Sequence, residues 1–145
     1  FGAGIYPDAT FSPRLSFGRV EGWREGAQDI PAFTYTSGLY ERAGGQAPFA
    51  LPQSWIDAQA RIDAGAVFNL SSSHDVVGGN SGSPLLDREG RVVGVVFDGN
   101  IHSLGGEYFY DAALNRTVSL SSTAMRMALS DVYGLNALVA ELEGR

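Results

Sequence analysis

Apolar residues alternate in some stretches of this chain, cluster in others and recur at helical spacing in a third set. Each pattern predicts a different element. Residues 14–23 (RLSFGRVEGW) alternate at Leu15 and Phe17, which predicts a strand with a bend or bulge at Gly18. The preceding FGAGIYPDATFSP carries Gly2, Gly4, Pro7 and Pro13 and reads as irregular lead-in chain. Residues 24–50 mix Gly, Ala and Pro, which suggests a long connection with one short strand near 32–36. Within 54–63 (SWIDAQARID), Trp55, Ile56, Gln59 and Ile62 share one broad face. That spacing predicts a helix, capped by Ser54 and ended by Gly65. A short strand is expected at 67–70. Pro84-Leu85-Leu86, a turn at 87–90 and RVVGVVF at 91–97 read as a β-hairpin. Its second strand is apolar enough to be buried on both faces. Further strands are expected at 108–110 and 116–120, then a helix over 123–132 stopped at Gly134, and a second over 136–142.

These elements describe a mainly β unit with one helix before a glycine cluster and helices at its C-terminal end. The chain divides as lead-in strands, connection and helix (1–66), a strand-rich segment (67–121) and C-terminal helices (122–145). With 145 residues, 44% of them apolar, it can form one domain with a moderate core. The formal charge of −6 argues against nucleic acid as a partner, since phosphate binding needs a basic face. No apolar run approaches the roughly 20 residues that span a bilayer, so no membrane span is expected. Two histidines and no cysteine exclude disulfides and make a structural zinc site a poor fit, so no metal or cofactor is expected. Nineteen glycines fit a β-rich fold with many turns.

The glycine cluster carries the chemistry. In VVGGNSGSPLLD, one serine stands among Gly78, Gly79, Asn80 and Gly82. A nucleophilic serine needs an exposed hydroxyl on a tight turn, two N–H groups facing the developing oxyanion, and a base within reach. Without side chains at Gly79 and Gly82, the backbone can curl until the N–H groups of Gly79 and Ser81 converge on one point. This is the glycine-x-serine-glycine arrangement of the chymotrypsin type. The G-x-S-x-G elbow of α/β-hydrolases fails here, because position 83 is Ser. A glycine-rich hairpin turn remains the competing reading of the four residues alone. The hairpin that follows favours the nucleophile.

The run GGNSGSPLLDREGRVVGVVFDGN resembles the nucleophile region of chymotrypsin-fold serine peptidases. With YPDATFSPRLSFGRVEGW near the start and LNALVAEL at the end, it looks most like the S46 family of bacterial dipeptidyl peptidases (the dipeptidyl peptidase 7 and 11 group). The resemblance implies a chymotrypsin-like β-barrel half from a longer periplasmic enzyme. An N-terminal segment would supply the catalytic His and Asp, and a homodimer of the full enzyme is left open. It implies Ser81 as nucleophile, and Gly79 with Ser81 as the oxyanion hole. It also implies that Asp98 binds the free α-amino group of a peptide substrate. Gly99 matches a position where acidic-specific members carry arginine, so glycine implies a hydrophobic side chain before the cleaved bond. An exopeptidase needs a fixed anion at this distance, because a buried ammonium must be paired. A turn aspartate before glycine is the alternative for Asp98.

Neither His74 nor His102 fits the His, Asp, Ser order of such a triad, and this chain alone is expected to hydrolyse nothing. His74 reads as a surface or hydrogen-bonding residue, His102 as a solvated loop histidine. Trp23 and Trp55 read as core residues. The Asn-x-Ser/Thr sequons at Asn69 and Asn115 read as accidental for a bacterial chain. Two rival readings stay open: a fragment of a trypsin- or HtrA-like endopeptidase, and a non-catalytic barrel that binds peptide or packs on a partner segment.

Overall fold

The computed structural model describes residues 13–106 and 108–144. Strands β1 (Trp23–Glu25) and β2 (Gln28–Ile30) form an antiparallel hairpin. Strands β3 (Phe33–Tyr35), β4 (Val67–Ser72), β5 (Pro84–Leu86), β6 (Val92–Gly99) and β7 (Thr117–Ser121) form a five-stranded antiparallel sheet. Its order is β3-β4-β7-β6-β5, an open sheet that closes into no barrel among the described residues. The fold is mainly β, as the pattern predicts, and the β5–β6 hairpin falls where expected.

Two helices precede the glycine cluster where one was expected. Helix α2 (Gln53–Ala58) starts one residue early, with Pro52 at its N-cap, so Ser54 lies inside the helix and caps nothing. Helix α1 (Thr36–Arg42) falls in the stretch read as connection. Its sequence, TSGLYER, holds a glycine and a β-branched residue and has weak local preference. Tertiary contacts make it: Thr36 is fully buried, its N–H donates to the Ala66 carbonyl (3.0 Å), and the Tyr40 hydroxyl reaches the Trp55 carbonyl (2.8 Å). Ala58, Ile62, Ala66 and Met127 form the core cluster beneath these helices, with Tyr40, Trp55, Phe68 and Val132 packed around it. Trp55 meets Phe68 edge-on at 6.1 Å.

At the C-terminal end, Ser121 caps α3 (Ser122–Met127) by accepting from the Ala124 N–H (2.9 Å). The helix expected to run to 132 widens after Met127 into one turn of i→i+5 bonds, Tyr133 N–H to the Ala128 carbonyl (3.0 Å). Gly134, at φ +69°, ends it, and α4 (Asn136–Leu142) follows as expected.

Other expectations are corrected. Residues 14–22 form no strand: they run as an extended strap with one bridge, Val20 to Ser72. Leu15 and Phe17 are 84% and 85% exposed, so their alternation marks a face with no cover among the described residues. Residues 1–12 of the lead-in lie outside the described part. Strand β6 is not buried on both faces; Gly94 and Val96 are buried, whereas Val92 and Phe97 are about half exposed. Residues 108–110 make a turn, with Tyr110 anchored by its hydroxyl to the Ser73 carbonyl (2.6 Å). An aromatic run is a strand only where another strand is in reach to pair with it. The sequon side chains of Asn69 and Asn115 both have buried oxygens, which fits the accidental reading.

Strand β7 inverts the usual rule. Thr117, Ser119 and Ser121 are its buried positions, and Val118 and Leu120 are only half-buried. Small side chains there allow close approach: a Cβ at Gly94 would lie 2.8 Å from the Leu120 carbonyl oxygen. Thr117 donates to the His74 carbonyl (2.7 Å) and Ser121 to the Val67 carbonyl. The Thr117 hydroxyl ties the segment that follows β4 to the sheet, and the Ser121 hydroxyl ties β7 to the start of β4.

Candidate active site

Val76 to Ser83 cross the end of the sheet as a tight double turn. Gly79 and Gly82 sit at φ +92° and +89°, a region that only glycine enters freely, so the two glycines are required by the backbone path. Asn80 folds the loop on itself. Its side-chain oxygen accepts from the Val77 N–H (2.9 Å), its own N–H donates to the Val77 carbonyl (3.2 Å), and its carbonyl accepts from Ser83 (2.9 Å). Gly82 N–H to Val96 O (2.7 Å) and Val96 N–H to Ser83 O (2.9 Å) fasten the loop to β6. Sequence reading missed this role of Asn80; an Asn inside a glycine turn is the signal that could have found it.

The loop presents Ser81 outward. Its side chain is exposed, and its hydroxyl has one long contact, 3.5 Å to the Phe97 carbonyl. Among the described residues, no hydrogen bond takes the N–H groups of Gly79 and Ser81. Donors without a partner among the described residues, beside a hydroxyl held by one long bond, suit an oxyanion-stabilising turn.

Asp98 reaches the same cleft through a bulge. Val96 pairs with Ser119 and Asp98 with Val118, so Phe97 is the extra residue in β6. Without that insertion Asp98 would follow Val96 onto the buried face by the two-residue period of a strand. With it, Asp98 joins Ser81, Gly78, Gly99, Asn100 and Ser103 around a cleft of ≈ 200 Å³. One Asp98 carboxylate oxygen accepts from the Gly99 N–H (2.8 Å). The other has no hydrogen bond among the described residues. Gly99 is required by space, not by φ: a Cβ there would lie 2.8 Å from the Ser103 Cβ. Of the four sequence-predicted positions, Ser81, Asp98 and Gly99 thus line one cleft, and Gly79 lies in the same turn between the lining residues Gly78 and Asn80.

The histidines lie elsewhere. His74 is half-buried, with Nδ1 2.9 Å from the Ser72 hydroxyl. Its removal from water holds its pKa below the ordinary value. His102 is not a solvated loop histidine: Nε2 lies 2.6 Å from Glu25, and the side chain is three-quarters buried. Glu25 also accepts from Trp23 Nε1 (3.0 Å), and the His102 bond first, then Trp23, draws its carboxyl pKa down. Neither imidazole is bonded to Ser81. Trp55 packs on the core as expected, whereas Trp23 sits half-buried in the hairpin and works through Glu25.

The whole chain matches a known family. The Peptidase S46 model matches residues 1–144. "Dipeptidyl-peptidase 7" of Capnocytophaga gingivalis is 27% identical over 95% of this chain and 21% of its own length. An "Asp/Glu-specific dipeptidyl-peptidase" of the same organism is 30% identical over 96% and 21%. Among solved structures, Porphyromonas endodontalis DPP11 in complex with the dipeptide Arg-Asp superposes with a TM-score of 0.81 at 19% identity, over 88% of this chain and 20% of that one. The chain therefore spans about a fifth of the length of the relatives it matches. It belongs to the peptidase S46 family.

Proposed function

We propose that this chain is the nucleophile-bearing part of a longer serine dipeptidyl peptidase, which releases dipeptides from free N-termini by acyl transfer through Ser81. The observation that carries this reading is the single cleft lined by Ser81 and Asp98, beside a turn whose Gly79 and Ser81 N–H groups take no hydrogen bond among the described residues. In the reaction, Ser81 Oγ attacks the carbonyl carbon of the second residue while its proton passes to a base, and the Gly79 and Ser81 N–H groups donate to the oxyanion that develops. Collapse breaks the C–N bond, the remaining peptide leaves as an amine carrying that proton, and water then hydrolyses the dipeptidyl ester on Ser81. Both imidazoles here are held by other side chains. The base is accordingly assigned to a histidine–aspartate pair in the rest of the polypeptide, and the isolated chain is expected to be inactive. Asp98, with one oxygen open, pairs with the substrate's ammonium and so counts two residues from the N-terminus.

The relatives include enzymes of both kinds by name, at nearly equal identity, so similarity does not assign the side chain accepted before the cleaved bond. The cleft favours one reading. No cation lines it among the described residues, and Val76, Val77 and Leu104 do, which suits an uncharged, hydrophobic side chain.

The test uses the full-length polypeptide that carries this chain, with one dipeptidyl substrate in free and acetylated forms. The wild type should cleave only the free form. Asp98→Asn should lose roughly 1.5–3 kcal/mol of transition-state stabilisation on it, the worth of a hydrogen bond to a charged group. Equal cleavage of both forms by the wild type would replace this reading with an endopeptidase.

A further inference from the structure

We propose that Ser103 is a specificity-determining residue, setting the size of the side chain that the cleft accepts before the cleaved bond. The proposal rests on the peptidase reading above and goes beyond it. Ser103 belongs to the short 3₁₀ turn Ile101–Gly105, which folds back from the end of β6 against Gly99. Its Cβ lies 2.8 Å, and its hydroxyl 3.2 Å, from where a Cβ at position 99 would stand. Two Cβ atoms 2.8 Å apart cannot coexist unless one of them shifts, so the wall of the cleft at this point is Ser103 itself. Residue 99 is glycine because Ser103 has taken its space.

Ser103 is held firmly enough to act as a wall. Its hydroxyl is shared between Asn100 Oδ1 (3.0 Å) and the Arg116 carbonyl (3.2 Å). Asn100 is itself locked: Oδ1 accepts from the Arg116 N–H (3.0 Å) and Nδ2 donates to the Leu114 carbonyl (2.7 Å). Behind them the Arg116 guanidinium, 6% exposed, donates to the carbonyls of Gly22 (2.7 Å), Ala112 (3.0 Å) and Asn115 (2.7 Å) and pairs with Glu21 (3.4 Å). The turn cannot slide away from Gly99 without breaking this set. Positions 99 and 103 are therefore coupled, and only one of them can project a side chain into the cleft.

The test measures kcat/KM of the full-length polypeptide on free dipeptidyl substrates with Ala, Leu or Phe before the cleaved bond. Ser103→Thr keeps the hydroxyl and adds one methyl, and should lower the Phe-to-Ala ratio about tenfold; Ser103→Gly should raise it about as much, the usual worth of a methyl-sized change in a tight pocket. Gly99→Ala should depress all three substrates, and Gly99→Ala with Ser103→Gly should recover most of the loss, because the colliding Cβ is gone. Organophosphate labelling of Ser81 checks that each variant is folded. A purely structural role for Ser103 would lower all substrates together and leave the ratios constant. Constant ratios, or no recovery in the double variant, overturn the proposal and leave the peptidase reading standing. If the wild type cleaves no dipeptidyl substrate and Ser81 resists labelling, both fall.

Discussion

The two ends of the sheet are held together by different forces. At the helical end, Ala58, Ile62, Ala66 and Met127 pack under α1, α2 and α3 with Trp55 and Phe68, and apolar burial does most of the holding, with the Thr36 and Tyr40 hydrogen bonds seating α1 on it. At the cleft end, the fastenings are hydrogen bonds from Asn80, Asn100, Ser103 and Arg116, with glycines where no side chain fits. Burial is non-directional and scales with area, so it stabilises a fold without specifying where any one atom sits. Hydrogen bonds weaken steeply with misalignment, so they fix atoms within a few tenths of an ångström. Stability and positioning are thus assigned to opposite ends of one sheet. The hydroxyl row Thr117, Ser119 and Ser121 on β7 runs between them.

The largest effect expected from this division is on chemistry alone. Ser81→Ala in the full-length polypeptide should lower dipeptidyl turnover by about five to six orders of magnitude, as loss of a nucleophile does in serine peptidases. It should also abolish organophosphate labelling. The melting temperature should not move, since the side chain is exposed and its one bond is long. A large fall in stability would show that the cleft end also carries the fold.

Met127→Ala is the converse. Met127 is 5% exposed, with its sulfur 3.9 Å from the Thr36 hydroxyl. Truncation leaves a cavity beneath three helices and should cost about 2–5 kcal/mol. Hydrogen-exchange protection should fall across residues 36–42, 53–58 and 122–127, while kcat/KM well below the melting range stays near wild type. A comparable fall in kcat/KM would mean that the core also sets the cleft, and the comparison would fail.

Legibility in the sequence followed the same line. The β5–β6 hairpin, β4, β7 and α4 were readable because local pattern and final structure agree there. The tight turn around Ser81 was readable because glycines flanking Asn80 and Ser81 mark a sharp reversal of the backbone. Helix α1 was not, because its stability comes from Thr36 and Tyr40 contacts made across the chain. The placement of Asp98 depends on a one-residue bulge at Phe97, and nothing in RVVGVVFDG says which residue is extra. The pairing of Gly99 with Ser103 was equally hidden: a glycine required by a neighbour's Cβ looks, in sequence, like any turn glycine.

The smallest effect concerns the strap, which belongs to neither end. Residues 14–19 lie over His74, and a Cβ at Gly18 would stand 2.9 Å from His74 Nδ1. The groups around the imidazole are the Ser72 hydroxyl, the neighbouring Asp75 and the strap backbone; Arg19 N–H bonds the Ser73 hydroxyl (3.0 Å) and Ser16 bonds the Asp75 N–H (3.0 Å). Desolvation lowers the His74 pKa from its ordinary 6.5. Between the folded and unfolded values, the unfolded state therefore binds more protons, and stability rises with pH. The contribution is complete above about pH 6.5 and is lost as the pH falls through the folded value. Hydrogen exchange over residues 14–21, corrected for intrinsic rate, should show the strap loosening on acidification from pH 8 to 5, with the core unchanged. The Glu25–His102 contact separates by window on its carboxylate side. Glu25's lowered pKa means its contribution is present above 4.5 and lost below it, so release of the β1–β2 hairpin through Glu25 needs stronger acid. His74→Gln removes the titration and should flatten the strap profile. A wild-type profile that is already flat would show that the strap does not keep His74 neutral.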